Sequence, residues 1–482
     1  MLIPIEAAGP IVSLNGDEEW QSARLVEEVD RRAGLLITQG LQRGDRVLVR
    51  HGSSPDFFAD LFAIWQAGGC AVCLNPDTTD PELVNLSSFT EAICVLIERD
   101  GCPPEGLSIP TVCLAEGVAQ EVRRSRLSGN RLDDEALILF TSGTTGDPKG
   151  VVHTFRSILA RIFLNTQHIG LQDMENTLCV LPTHFGHGLL GNALTPLLSG
   201  QRLVLGAGTG VQAAARLGAV IDNEGITFMS SVPSFWKLVL KVSEPPRKGT
   251  LRRVHIGSAP LSGDVWQQVI DWAGTDNVVN MYGITETANW LGGANARDGG
   301  ATDGRIGRMW GGFAAVKGDD GVIRRTGEGI IMVQSPSLMQ GYFRRPDLTE
   351  PALTDGWFDT GDIGRIDAGG EAWLTGRAKY EINRGGMKVH PEDLDILLER
   401  HETVLEACAF AIPDTVMGEA VGVAIVPDGD GFDLNVLKAW CAERIVREKM
   451  PDRWFIVDDI PKTDRGKINR SIVADKCLEA KV

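Results

Sequence analysis

Basic residues are scarce in this chain relative to acidic ones. Forty-seven lysines and arginines stand against 64 aspartates and glutamates, a formal net charge of −17. A surface with that surplus repels phosphate backbones and anionic lipid, so nucleic acid and membrane are excluded as expected partners. A site that binds an anion must therefore build a local positive pocket. Long apolar runs are also missing, and no stretch approaches the roughly 20 apolar residues that cross a bilayer. The first twenty residues lack a basic start and carry Asp17, Glu18 and Glu19. That is not the pattern of a signal or transit peptide. Cysteine is sparse, nine in 482 residues, odd in number and scattered. Such usage argues against a disulfide framework and for a reducing, cytoplasmic setting. The single C-x-x-C, Cys70 to Cys73, lies in the apolar run Gly68-Gly69-Cys70-Ala71-Val72-Cys73-Leu74, without a second pair or a nearby histidine. Strand residues three apart point to opposite faces, so core packing is expected there rather than zinc or redox chemistry. Internal repeats and low-complexity tracts are absent as well.

What remains is an ordinary globular composition, 43% hydrophobic and 23% charged. The length is too great for one hydrophobic core. Helical spacing over Ser22 to Gln42 and Asp56 to Gln66 alternates with short apolar strands at Arg46 to Val49 and Gly68 to Leu74. The same rhythm returns at Thr177 to Leu181, Arg202 to Leu205, Thr227 to Ser230 and Leu251 to Ile256. Helices between short apolar strands predict α/β layers with mainly parallel pairing. After Asp303 the segments shorten and glycines punctuate them, as at Gly321 to Arg325 and Gly329 to Gln334, which predicts a β-rich subdomain. From about Lys379 the pattern changes again. It mixes helix (Pro391 to Arg400, Leu434 to Glu448) with strand (Ala407 to Ile412, Val421 to Val426, Arg453 to Val457), a small α+β unit. The expected organisation is α/β: residues 1–378 as a large N-terminal domain, and residues 379–482 as a small α+β C-terminal domain.

The strongest local signal follows the apolar strand Leu137-Ile138-Leu139-Phe140. It reads Thr141-Ser142-Gly143-Thr144-Thr145-Gly146-Asp147-Pro148-Lys149-Gly150. Glycines let backbone N–H groups close on a phosphate, hydroxyls donate further bonds, and the lysine supplies charge. The loop is not a Walker A loop, because Pro148-Lys149-Gly150 stands where Gly-Lys-Ser/Thr is needed.

Thr141 to Gly150 resembles the signature loop of the acyl-adenylate-forming superfamily, which holds acyl-CoA synthetases, adenylation domains of peptide synthetases and beetle luciferases. Six further motifs follow in that family's order: Ser258-Ala259-Pro260-Leu261, Met281-Tyr282-Gly283-Ile284-Thr285-Glu286-Thr287, Trp357-Phe358-Asp359-Thr360-Gly361-Asp362, Gly376-Arg377-Ala378-Lys379, Asn383 to Pro391, and Pro461-Lys462-Thr463-Asp464-Arg465-Gly466-Lys467. The resemblance covers nearly the whole chain. It implies ATP and Mg²⁺ as cofactors, a carboxylic acid as substrate, and two half-reactions. Thr141, Ser142, Gly143, Thr144, Thr145 and Lys149 match the cradle of the β- and γ-phosphates. Glu286 matches the Mg²⁺ ligand, and Thr285 the hydroxyl at the α-phosphate. Ser258, Ala259, Pro260, Tyr282 and Gly283 match the adenine side; Asp362 and Arg377 match the ribose contacts. Lys467 matches the lysine that bridges acid and α-phosphate. Lys379 matches the hinge about which the C-terminal domain moves. Tyr380 departs from the aspartate common at the position after the hinge.

The family's acid pocket implies His184, Phe185, Gly186, His187 and Ser231 as its residues here. Gly186 stands where amino-acid activators place an aspartate against the substrate amine. A small or medium uncharged acid, aryl or short aliphatic, is therefore expected. No Gly-Gly-x-Ser phosphopantetheine site follows Lys467, so a stand-alone activator is expected. Its acceptor thiol is CoA by family frequency, with a separate holo acyl carrier protein as the alternative. A luciferase-like oxygenase and a binding-only relic are the rival classes; Lys149, Glu286, Asp362 and Lys467 speak against the relic.

Overall fold

A computed structural model describes every residue except 1, 15, 17, 100, 117–128, 142–147, 207, 385–386, 430, 464–466 and 480–482. The described strands form three sheets of fifteen, seven and five strands. In the seven-stranded sheet Arg46–Arg50, Cys70–Cys73, Cys94–Ile97 and Glu135–Thr141 run parallel, and Lys149–Thr154 turns back antiparallel on Glu135–Thr141. In the large sheet Asn176–Cys179, Arg202–Leu205, Phe228–Ser231, Arg253–Gly257 and Val278–Ile284 are parallel. Antiparallel strands follow from Asn289–Asn295 to Ala372–Arg377. The change from parallel to antiparallel pairing comes where the sequence turns glycine-punctuated. These short strands pair antiparallel, some with distant partners: Arg305–Met309 lies beside Ala372–Arg377, and Gly327–Gln334 beside Trp357–Ile366.

The helix Pro55–Ala67 is buried almost all round, because both of its sides are covered, and its buried Asp60 is paired with Arg32 and His51. Ser54 caps it by accepting from Phe57 N, and Pro55 opens the first turn. Phe57, Phe58, Phe62 and Trp65 lie in one buried cluster with Ile11, Leu203 and Leu205 of the large sheet and Val47, Val49, Leu137 and Leu139 of the seven-stranded sheet. The helices Ser22–Thr38 and Phe155–Ile169 contribute Leu25, Val29 and Ile158 to the same cluster. A layer of helices thus separates the two sheets. Cys70 packs with Leu48 and Val72 on one face, and Cys73 with Ala71 on the other. Burial pushes the Cys73 thiol up to about 12 and Cys70 well above its ordinary value. Neither offers the thiolate that a metal or a redox partner needs.

The five-stranded sheet draws its strands from Ile382–Arg384 through Arg453–Ile456. Its core holds Ile382, Leu394, Ala407, Val421, Val423 and Leu437. The helix expected over Leu434 to Glu448 is shorter, ending at Ala442. The amides of Arg444 and Ile445 turn back on the Cys441 carbonyl, and Val446 is extended. A separate 3-10 turn covers Arg447–Lys449.

Candidate active site

Parallel strands present their C-terminal ends to one side, and loops there can converge on a ligand. The strand Glu135–Thr141 leads into the glycine- and hydroxyl-rich loop. Ser258 follows Arg253–Gly257, and Thr285 and Glu286 follow Val278–Ile284; Tyr282 and Gly283 lie within that strand, and Asp362 and Arg377 on the antiparallel strands Trp357–Ile366 and Ala372–Arg377. Ser142, Gly143, Thr144 and Thr145 lie outside the described residues, as does the side chain of Thr141. Lys149 begins the return strand Lys149–Thr154.

Lys149 Nζ lies 3.8 Å from Glu286 Oε1 and 4.0 Å from the centre of the Tyr342 ring. Tyr342 Oη donates to the same Glu286 oxygen at 2.8 Å. Burial lowers the Lys149 ammonium below its ordinary value; Glu286 opposes the shift, and Lys379, Arg377 and Arg345 add to it. These cations form the positive pocket that an acidic protein needs for an anion.

Thr285 to Thr287 form a single 3-10 turn. Ala288 and Asn289 follow it with φ of +54° and +93°. A bulge between Tyr282 and Gly283 precedes the turn and re-aims the chain. Gly283 is obligatory there, since a Cβ would sit 2.3 Å from Asn289 O. His153, fully buried, donates from Nε2 to Thr285 O at 2.8 Å. Burial pushes His153 down to about 4, so it is the neutral ring that makes this bond.

Tyr282 and Asp362 are 5% and 4% exposed, and Tyr282 Oη donates to Asp362 Oδ2 at 2.7 Å. Arg377 Nε donates to Asp362 Oδ1 at 2.5 Å. The Asp362 charge raises the Arg377 guanidinium, while burial and the same charge raise the Tyr282 phenol well above its range. Residues from three strands thus meet at one carboxylate.

Beside Ser230 and Ser258, His187 begins an unusual π-helical segment, His187–Leu194. Gly188 allows its close approach to the preceding chain, because a Cβ would meet Pro182 O at 2.2 Å. His187 Nδ1 lies 2.8 Å from Ser258 Oγ, and Nε2 lies 2.7 Å from Ser230 Oγ. Ser230 Oγ donates to His255 O at 3.3 Å, so it accepts from His187 Nε2–H, and His187 Nδ1 accepts from the Ser258 hydroxyl. Ser258 holds a left-handed φ of +72° to make that bond. Burial, helped by the charge of Lys467, pushes His187 down to about 3. Lys467 therefore lies close enough to His187 for its charge to be felt there. His184 and Phe185 pack edge to face at 4.0 Å between ring centres. Gly186 faces Leu139, with a Cβ position 3.5 Å from its Cδ1. Ser231 follows Ser230 on the same strand, and by alternation it points to the opposite face from the serine that binds His187. Ala259 is partly buried, Pro260 is exposed, and Lys379 is exposed with Nζ 4.5 Å from the Tyr380 ring.

Ser230, Tyr342, His153 and Trp290, whose ring centre lies 5.6 Å from that of His187, are absent from the sequence motifs. Tyr342 could have been flagged only as one of three tyrosines. The tail body docks beside the cleft. Lys237 Nζ meets Glu399 Oε2 at 2.5 Å, and Arg400 bonds Asp264 at 2.9 Å and Asp303 at 2.7 Å. Among the described residues no cluster of three or more His, Cys, Asp or Glu could hold a metal, and no helix is long and apolar enough to cross a membrane.

Layered α/β sheets with a cation-lined cleft at the strand ends suit an enzyme that binds an anionic nucleotide. The AMP-binding enzyme family matches residues 9–343, and the AMP-binding enzyme C-terminal domain matches residues 394–467. The chain is 29% identical over 492 residues to the oxalate–CoA ligase of Arabidopsis thaliana, spanning 97% of this chain and 95% of that one. It is 32% identical over 382 residues to the sulfoacetate–CoA ligase of Cupriavidus necator, spanning 77% and 74%. It superposes on ATP-bound MatB from Rhodopseudomonas palustris with a TM-score of 0.85 at 26% identity, covering 97% and 96% of the two chains. The chain belongs to the AMP-binding enzyme family. It is an AMP-forming acid–thiol ligase: it activates a carboxylic acid with ATP, releases pyrophosphate, and passes the acyl group from the adenylate to CoA.

Proposed function

We propose that the acid is small, and that the parts of the site divide the work as follows. The observation carrying the size is the crossbar made by His187. It is tied at both ring nitrogens to serines of two different strands, with Trp290 behind it. A long chain would have to break both bonds and displace the indole. Relatives named for short acids, oxalate and sulfoacetate, are compatible with this reading, but one named for long-chain fatty acids matches as fully, so the size rests on the His187 crossbar.

Lys149 and the loop from Thr141 hold the β- and γ-phosphates. Mg²⁺ arrives with the triphosphate as part of the substrate, which suits a site with one protein carboxylate, since Mg²⁺ keeps waters and phosphate oxygens as its other ligands. The Glu286 contacts fall on Oε1, leaving Oε2 for the cation. The ion neutralises charge on the departing pyrophosphate. Thr285 meets the α-phosphate. Asp362 takes the ribose hydroxyls with Arg377, and Ser258, Ala259, Pro260, Tyr282 and Gly283 frame the adenine. Lys467 places its charge between the acid carboxylate and the α-phosphate, where two anions must approach. Residues 1–378 hold the nucleotide and acid. Residues 379–482 turn about Lys379 between the half-reactions, because water and thiol must be kept out first and admitted later. His184, Phe185, Gly186 and His187 line the acid side, with Ser230 holding His187 in place. The nine free cysteines fit a cytoplasmic location.

ATP–pyrophosphate exchange over a panel of acids of increasing length tests the size. Short acids should support exchange and long-chain fatty acids should not; strong exchange with a long-chain acid refutes the crossbar. Adding CoA, and separately holo carrier protein, to the best acid identifies the acceptor, with CoA expected.

A further inference from the structure

Arg161 stands in the helix Phe155–Ile169 with none of its surface exposed. Buried arginines are ordinarily paired with acids. None of the partners of Arg161 among the described residues is a carboxylate. Nε donates to Thr287 O at 3.2 Å; Nη2 donates to Ser337 Oγ at 2.5 Å, Ser335 Oγ at 3.2 Å and Gly311 O at 3.5 Å. Nη1 has no hydrogen-bond partner. Desolvation without a counter-charge pushes the guanidinium down to about 9. An apolar side chain of similar length would fill the same space without that cost, so packing alone does not account for a cation here.

Its partners all bear on one short segment. The carbonyls of Thr285, Glu286 and Thr287 are each held from a different element. Thr285 O accepts from His153, Glu286 O accepts from Met339 N at 2.7 Å, and Thr287 O accepts from Arg161 and from Ser337 Oγ at 2.8 Å. Ser337 is itself held by Arg161. The segment runs directly into Ala288 and Asn289, two successive non-glycine residues in the left-handed region. Such a backbone persists only where its surroundings over-determine it. Released, it would relax and carry Glu286 with it.

We infer that Arg161 is a positioning residue for adenylation: through Thr287 O and Ser337 it fixes the Thr285–Thr287 turn so that Glu286 and Thr285 meet the magnesium-bound phosphates. The inference rests on the role proposed above for Glu286. It separates the half-reactions, because thioester formation from a ready-made adenylate involves no pyrophosphate and no metal at Glu286.

The test compares Arg161→Met, Arg161→Lys and Gly311→Ala with the parent enzyme and with Glu286→Gln. Gly311→Ala displaces the guanidinium without removing it, since its Cβ would sit 2.2 Å from Arg161 Nη1. MgCl2 is titrated in ATP–pyrophosphate exchange with the best acid of the panel. CoA thioester formation is measured separately from the synthetic adenylate of that acid, and thermal melting reports folding. Loss of an outer-shell partner typically costs about 10- to 100-fold. Arg161→Met and Gly311→Ala should raise the half-saturating magnesium concentration by about tenfold or more. Thioester formation should stay at the parent rate, and Arg161→Lys should recover part of the loss. If Arg161→Met does not fold, Gly311→Ala decides. An unchanged magnesium dependence, or equal loss in both half-reactions, overturns the inference while Glu286→Gln still shifts. If Glu286→Gln shifts nothing, the role of Glu286 fails first and takes the inference with it.

Discussion

Asp362→Asn probes the nucleotide end of the cleft. The carboxylate is 4% exposed and accepts at one oxygen from Tyr282 Oη, 2.7 Å away, and at the other from Arg377 Nε, 2.5 Å away. An ionised carboxylate has about four lone-pair sites, so each oxygen keeps one for a ribose hydroxyl. Asparagine has a single accepting oxygen. Arg377, a donor only, claims it and leaves the amide nitrogen against Tyr282 Oη. One ribose hydroxyl then loses its acceptor, and the other bonds a neutral oxygen. A hydrogen bond to a charged group is worth about 1.5–3 kcal/mol. The KM for ATP should therefore rise about 10- to 150-fold, one decade for each 1.4 kcal/mol. The KM for the acid should stay where it is. The Arg377 side chain is 41% exposed, so water takes over much of its lost partner and the fold survives. ATP–pyrophosphate exchange measured against each substrate in turn gives both constants. A folded variant with the parent KM for ATP, or with both constants raised alike, refutes the assignment.

Lys467→Ala should cut acyl-adenylate formation about a hundredfold or more, the loss expected for one oriented charge of about 3 kcal/mol. Thioester formation from supplied adenylate should persist, and equal losses in the two steps argue against the role. Lys379→Pro locks φ at the exposed junction and should spare adenylation while damaging thioester formation. If both steps survive equally, the turning point lies elsewhere. His153 is held down to about 4 by burial, against an ordinary value of 6.5. As pH falls from 6.5 toward 4 the unfolded chain takes up a proton that the folded chain refuses, so this histidine removes about 1.4 kcal/mol of stability per pH unit. His153→Gln keeps a donor for Thr285 O and should flatten stability against pH by that slope in thermal or denaturant melts. An unchanged slope counts against a neutral buried ring.

The alternation of helix and strand was legible along most of the chain because amphipathic spacing is a local property. The opposite faces taken by Cys70 and Cys73 follow from strand geometry alone. The helix from Leu434 was overrun because nothing apolar or polar in Glu443 to Glu448 marks the stop; it comes from amides turning back on Cys441. The motifs that resemble the adenylate-forming family pointed to Lys149, Glu286, Tyr282, Asp362 and Arg377, and the fold brings them together as two linked clusters. Ser230 was passed over for Ser231, since a strand's register against a distant histidine cannot be read from its own residues. Tyr342 escaped notice because its partner Glu286 lies 56 residues away and no motif contains it.

The order of residues alone pointed to the α/β class through local spacing, and to adenylate-forming chemistry through motifs that resemble that family. Only the tertiary structure decided which partners hold His187 and what steadies the Thr285–Thr287 turn. His187 reaches serines 43 and 71 residues off, and Arg161 reaches a carbonyl 126 residues off. Such partners are chosen by how the sheets stack around their layer of helices, and no local pattern encodes that stacking.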